Sequence, residues 1–113
     1  CIVAEWLVQK PHGYTVLVLD GDVVPAVLER NLDEWLQGGE DLVFYEREWN
    51  PEVAAGNYIA RNSPFTIRFL HAWADFEVEC PGGGVFFGAD NGAIHVLLPH
   101  VLGVPCAHEV ERL

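Results

Sequence analysis

Four apolar residues, Val16-Leu17-Val18-Leu19, run straight into Asp20-Gly21-Asp22. A short apolar run bounded by turn residues reads as a buried strand, and the acids fall where that strand ends. In open α/β sheets, ligands gather outside the carboxyl ends of the strands. Two carboxylates at such an end offer oxygen ligands to a hard divalent cation, Mn²⁺ or Mg²⁺. Gly21 between them is expected to let the backbone turn sharply, so that both side chains converge. The plainer reading is a surface turn whose acids only face water.

The flanking patterns place this junction in an α/β chain. Residues 1–10 read as the tail of a helix closed by Pro11, His12 and Gly13, and Tyr14 to Leu19 is the first strand. Pro25 suits a first helical turn, Leu28, Leu32, Trp35 and Leu36 follow as an apolar stripe, and Gly38-Gly39 supplies a left-handed stop. Asp41 to Glu46 is a second strand, so the order strand, helix, strand predicts a βαβ unit. Residues 47–53 read as a loop, in which Trp49 is expected to anchor on the core, with a sugar or partner contact as the alternative. A third strand spans 54–61, and Gly56 inside it marks a bulge or a close backbone approach.

Ser63 and Pro64 then open a helix whose Phe65, Phe69, Trp73 and Phe76 form an aromatic core stripe, with His71 off it in solvent. The glycine-rich stretch 80–89 lacks the lysine and the spacing of a standard phosphate loop. Asp90-Asn91-Gly92 opens a last helix running to about Leu102, with Asp90 near its N-terminus and Asn91 and His95 on one face.

Composition excludes several classes. With 113 residues, half of them apolar, one domain with a real core is the expectation. A net charge of −11, from 17 acids against 6 Lys plus Arg, leaves no basic footprint for nucleic acid. A phosphate-bearing ligand would need a metal to offset its charge. Cys1, Cys80 and Cys106 are too few and wrongly spaced for a zinc site; one disulfide or three buried thiols remain open. No run approaches the roughly 18 apolar residues of a membrane span, and no signal peptide is visible. The chain opens on Cys1 and contains no Met, so an internal piece of a longer protein is expected, with any membrane anchor outside it.

Asp20-Gly21-Asp22 admits two enzyme readings. In a sugar-nucleotide transferase, a metal on the two acids would bridge the donor diphosphate and stabilise the charge that grows on departure. In a haloacid-dehalogenase-type phosphatase, Asp20 would be the nucleophile and Asp22 the general acid/base. That chemistry also needs a downstream basic residue, usually Lys, and a later acidic cluster, whereas the only lysine is Lys10, upstream of the acids. A third class is a non-catalytic carbohydrate-binding or degenerate domain.

Beyond the single motif, an ordered set of segments carries a resemblance. These are Val-Leu-Asp20-Gly21-Asp22-Val-Val-Pro, Asp41-Leu-Val-Phe-Tyr-Glu-Arg47, Glu52-Val-Ala-Ala-Gly56-Asn57-Tyr-Ile-Ala-Arg61-Asn62-Ser-Pro-Phe, Phe69-Leu-His-Ala-Trp73-Ala and Asp90-Asn91-Gly92-Ala-Ile-His95. Together they resemble the nematode-rich family known as domain of unknown function 273. More distantly they resemble the Golgi galactosyl-, mannosyl- and xylosyltransferases of glycosyltransferase family 34.

The resemblance implies part of a GT-A (nucleotide-diphospho-sugar transferase) fold, a Rossmann-like sheet flanked by helices, with this chain as the central part of a larger catalytic domain. It implies Mn²⁺-dependent, retaining transfer from a UDP- or GDP-sugar to a glycan or glycoprotein acceptor, by a type II membrane protein facing the Golgi lumen. By position, Asp20 and Asp22 match the metal-binding acids, and Gly21 between them falls in the substrate-binding stretch. Gly56 matches a glycine that approaches donor or acceptor. Asp90 and Asn91 match a catalytic acidic-Gln pair that orients the donor sugar and stabilises charge at the anomeric carbon. Ala54 stands where the wider family has Asn. Asn57 is the candidate substitute, although in a regular strand it would point away from the Gly56 face. His100 precedes Val and His108 precedes Glu, so a third metal ligand is expected beyond Leu113, and the first nucleotide-binding strand before Cys1.

Overall fold

The computed structural model describes residues 1–49, 52–79 and 90–103, with the backbone alone for 77–79 and Asp90. Its architecture is mixed α/β. Helix α1 (Ile2–Leu7) precedes strand β1 (Thr15–Val18), β2 (Leu42–Glu46) and β3 (Val53–Arg61), and helices α2 (Pro64–Glu79) and α3 (Asp90–Val101) follow. The three strands form one sheet in the order β1-β3-β2, with β3 antiparallel to both neighbours. It follows that β1 and β2 run in the same direction without touching, and their carboxyl ends open on one edge of the sheet.

The apolar pattern explains why β3 takes the centre. Ala54, Ala55, Tyr58, Ile59 and Ala60 are all buried, as a strand enclosed on both sides requires. On one face Tyr58 and Ala60 pack with Ala4, Leu7 and Leu70, supported by Val16, Val18, Leu42 and Phe44 from the outer strands. Phe44, Tyr58, Phe69 and Trp73 continue this core as an aromatic cluster, with ring centroids 5.6 to 6.3 Å apart. Ser63 caps α2 as its spacing predicts: its Oγ accepts the Thr66 N–H at 3.1 Å, and Thr66 Oγ1 donates to the Asp41 carbonyl at 3.1 Å. This ties the start of α2 to the entry of β2. His71 is half-buried rather than solvated.

Three expectations differ from the structure. The unit Tyr14–Glu46 is not a βαβ crossover between paired strands, because β3 inserts between β1 and β2. Nor is there a helix from Pro25 to Gln37; the only helical piece is a 3₁₀ turn at Leu32–Trp35. Leu28 is 81% exposed and Trp35 45%, and Leu32 and Leu36 are only half-buried, so the stripe buries too little apolar surface to hold a helix of a length that is marginal in water on its own. Asn31 completes the break. It sits extended (φ −93°, ψ 144°), and its side chain accepts the Asp33 N–H, restarting the chain as a new short turn. Gly39 does take the left-handed conformation expected of a stop, at φ +79°. Trp49 is likewise no anchor: it stands 95% exposed at the β2–β3 connection.

Candidate functional site: an acidic cleft at the strand ends

The register of β3 builds the site. Phe44 pairs with Tyr58, yet the next residue, Tyr45, pairs with Ala54. Ala55, Gly56 and Asn57 therefore have no partner on β2, and on the other side pairing with β1 stops at Val18↔Tyr58. A bulge of this kind bends the strand and leaves polar backbone groups to be satisfied by side chains.

Side-chain hydrogen bonds secure this stretch on both flanks. The Ala55 N–H donates to Asn91 Oδ1 at 2.7 Å, and the Val53 N–H donates to His95 Nε2 at 3.1 Å. The shared face expected of Asn91 and His95 on α3 thus holds β3 at the bulge and at its first residue, Val53. From the other side, Asn57 Oδ1 accepts the Asp20 N–H at 3.0 Å, which docks the end of β1 onto the bulge.

A cleft of about 600 Å³ opens above this bulge, between the carboxyl ends of β1 and β2. Asp20 and Asp22 enter it from β1, Gly56 and Asn57 from the bulge, Asn91 from α3 and Arg47 from the end of β2. Tyr58 and Trp73 join its wall to the aromatic core, and burial raises the Tyr58 pKa above the ordinary 10.0. Asp20 and Asp22 flank a turn closed by the Val23 N–H donating to the Asp20 carbonyl at 3.1 Å. Both are exposed to the cleft, and among the described residues neither is ion-paired.

The glycines divide. A Cβ on Gly56 would collide with Asp20 Oδ2 and lie 3.1 Å from its Cγ, so any side chain here would displace the carboxylate that lies against its backbone. Gly56 is therefore both the bulge and the close approach that its place in a strand suggests. Gly21 is different. It is outside the left-handed region, a Cβ there would meet nothing within 4 Å, and it does not line the cleft. The sharp turn between the acids does not depend on glycine, contrary to expectation. Asn57 also departs from the alternation of a regular strand: it shares the cleft with Gly56 because the bulge breaks the period.

Asn91 has both ends of its amide engaged. Besides accepting from Ala55, its Nδ2 donates to Glu52 Oε1 at 2.8 Å, and Arg47 Nη1 donates to Glu52 Oε2 at 3.3 Å. Asn91 thus orients neighbours instead of offering a free amide. Its neighbour Asp90 is the first residue of α3. Arg47 and Glu52 had no role in the sequence reading. The available signal was an opposite-charge pair flanking the β2–β3 connection.

For a metal, the chain offers two carboxylates one residue apart. Among the described residues, no three or more His, Cys, Asp or Glu side chains gather into a cation site. Cys1 is a free thiol, while Cys80, Cys106, His108 and the glycine-rich stretch 80–89 lie outside the described residues. No helix among the described residues is long and apolar enough to cross a membrane. No curated protein and no solved structure matches the chain. One family does match, that described as "Protein of unknown function, DUF273", over residues 1–112, and the chain belongs to it.

Proposed function

We propose that this chain carries the donor-side centre of a metal-dependent glycosyltransferase of GT-A type, transferring a sugar from a UDP- or GDP-sugar to a glycan or glycoprotein. One observation supports this above all. Asp20, Asp22, Gly56, Asn57 and Asn91 come from three distant segments, and they line one cleft at the carboxyl ends of two like-directed strands. That is where α/β sheets hold their ligands.

Asp20 and Asp22 would hold Mn²⁺ or Mg²⁺. The donor set fits: all-oxygen, dianionic, and open to solvent. A cation of this type is commonly held by one or two carboxylates, with substrate phosphates and water completing its shell. Bound there, it would supply Lewis-acid stabilisation of the departing nucleoside diphosphate.

The chain's own groups do the rest. The Asn57 side chain fixes the backbone of Asp20, and the missing Cβ of Gly56 leaves room for its carboxylate. Asn91 holds the Ala55 N–H and so keeps the bulge in place. By the resemblance to glycosyltransferase family 34, Asp90 and Asn91 are the pair that would orient the donor sugar and offset the positive charge at the anomeric carbon. The same resemblance puts the reaction in the Golgi lumen and the membrane anchor outside this stretch.

The test is transfer or hydrolysis of UDP- and GDP-sugars by the purified protein, with Mn²⁺, with Mg²⁺ and with chelator. Turnover should need the cation and fall at least about 100-fold in Asp20→Asn or Asp22→Asn, the scale of losing a positioned electrostatic group. If both variants keep metal binding and turnover, the assignment is wrong. Trapping an aspartyl-phosphate at Asp20 would instead establish the phosphatase chemistry. Tight glycan binding without turnover would point to a binding domain.

A further inference from the structure

We infer that Arg47 is the anion-recognising group of this cleft, and that it takes the diphosphate of the nucleotide sugar opposite the Asp20–Asp22 pair. The inference rests on the transferase reading and adds a residue to it.

Three observations carry it. First, the cleft's charge is divided. Asp20 and Asp22 enter at the end of β1, Arg47 enters at the end of β2, and the bulge of β3 lies between them. Arg47 is the only Lys or Arg among the described residues lining the cleft, in a chain with only 6 such residues against 17 acids. Second, Arg47 does not neutralise the two acids. Its described ion-pair partner is Glu52, at 3.3 Å, which leaves Asp20 and Asp22 for another cation.

Third, the guanidinium is held by a relay. Glu52 receives Arg47 on Oε2 and the Asn91 amide on Oε1, and Asn91 is anchored in turn on the Ala55 N–H. The Arg47 N–H also donates to the Glu52 carbonyl at 3.0 Å, so backbone and side chain are fixed together. Helix α3, the hairpin neck and the bulge thus all orient one cation. The Glu52 contact uses Nη1 and leaves further donors of the planar fork, whose geometry matches phosphate oxygens. A ligand with a cation-bound side and an anionic side fits this divided charge, and a metal-bound diphosphate is such a ligand.

The experiment is calorimetric titration of the purified protein with UDP, GDP, inorganic pyrophosphate and uridine, each with Mn²⁺ present. Mn²⁺ binding alone is read separately by its electron paramagnetic resonance signal. Arg47→Gln should weaken UDP or GDP and pyrophosphate by about ten- to 100-fold, the range for a hydrogen bond to a charged group. It should leave uridine and Mn²⁺ alone unchanged. Arg47→Lys, which keeps the Glu52 pair and therefore controls for folding, should recover part of the loss.

If Arg47→Gln leaves diphosphate affinity within twofold while Asp20→Asn abolishes it, the role of Arg47 is overturned and the metal centre stands. If Arg47→Gln changes only the KM of an acidic acceptor, the diphosphate assignment is also overturned. A purified protein that binds no nucleoside diphosphate with Mn²⁺ overturns the transferase reading itself.

Discussion

Replacing Gly56 with alanine puts a methyl group where the Asp20 carboxylate now lies. The new Cβ would collide with Oδ2 and stand 3.1 Å from Cγ and 3.6 Å from Cβ of Asp20. Two relaxations are open. The backbone of Asp20 is the stiffer one, because its N–H is bound to Asn57 at 3.0 Å. The side chain is the softer, since it is exposed and ends in open cleft. The carboxylate therefore swings away, at the low end of the overpacking range, about 1 kcal/mol.

Alanine also removes unfolded-state freedom, which returns about 0.4–1 kcal/mol because the φ of Gly56 is outside the left-handed region. The net loss of stability is then about 0–0.6 kcal/mol, no more than a few degrees in Tm for a domain near this size. The consequence for the cleft is larger. A carboxylate moved off its position should weaken Mn²⁺ at least about tenfold, or ~1.4 kcal/mol.

A double-mutant cycle isolates the contact. With Asp20→Ala already made, Gly56→Ala meets no carboxylate and should stabilise by about 0.4–1 kcal/mol, giving a coupling near 1 kcal/mol. Thermal or urea melts of the four proteins measure it, and Mn²⁺ titration of Gly56→Ala measures the displaced ligand. A cycle that closes without coupling would refute the reasoning, since the carboxylate would then not lie against Gly56. The stability arm needs no assumption about function.

Asn91→Ala should cost about 1–3 kcal/mol in denaturant melts, because it strands the part-buried Ala55 N–H and releases Glu52. Gly21→Ala should be nearly silent, within about 0.5 kcal/mol, since its Cβ meets open space and its φ is ordinary. A larger loss would restore a conformational need for glycine between the acids. Burial raises the Tyr58 pKa, so the unfolded chain loses this proton first as pH rises past about 10. Its stabilising share is whole below that value and lost between the unfolded and the folded pKa. Tyr58→Phe should accordingly flatten the fall in stability above pH 10, measured by urea melts at stepped pH.

Much of the chain was set by local pattern. Thr15 to Val18 is a strand because an apolar run there ends at turn residues. Ser63-Pro64 starts α2 because a hydroxyl cap and a fixed φ act within one turn. Asn91 and His95 share a face of α3 because four residues complete a helical turn. Even Gly56 announced a bulge or a close approach, since glycine inside a strand has few other uses. The acids at the end of β1 needed only that strand to be placed.

Tertiary structure alone decided the rest, because each remaining feature depends on a partner far along the chain. The insertion of β3 between β1 and β2 is a choice among pairings that local sequence does not rank. The stripe Leu28, Leu32, Trp35 and Leu36 carries the helical period, but a helix of that length needs a surface to bury it, and Leu28 and Trp35 find none. The three unpaired residues of β3 exist only because β1 stops and β2 shifts register at the same level. The path from Arg47 through Glu52 to Asn91 crosses from the hairpin to α3, a separation of 39 residues for its second bond. Sequence placed two acids at the end of a strand; the pairing around that strand made the cleft in which they stand.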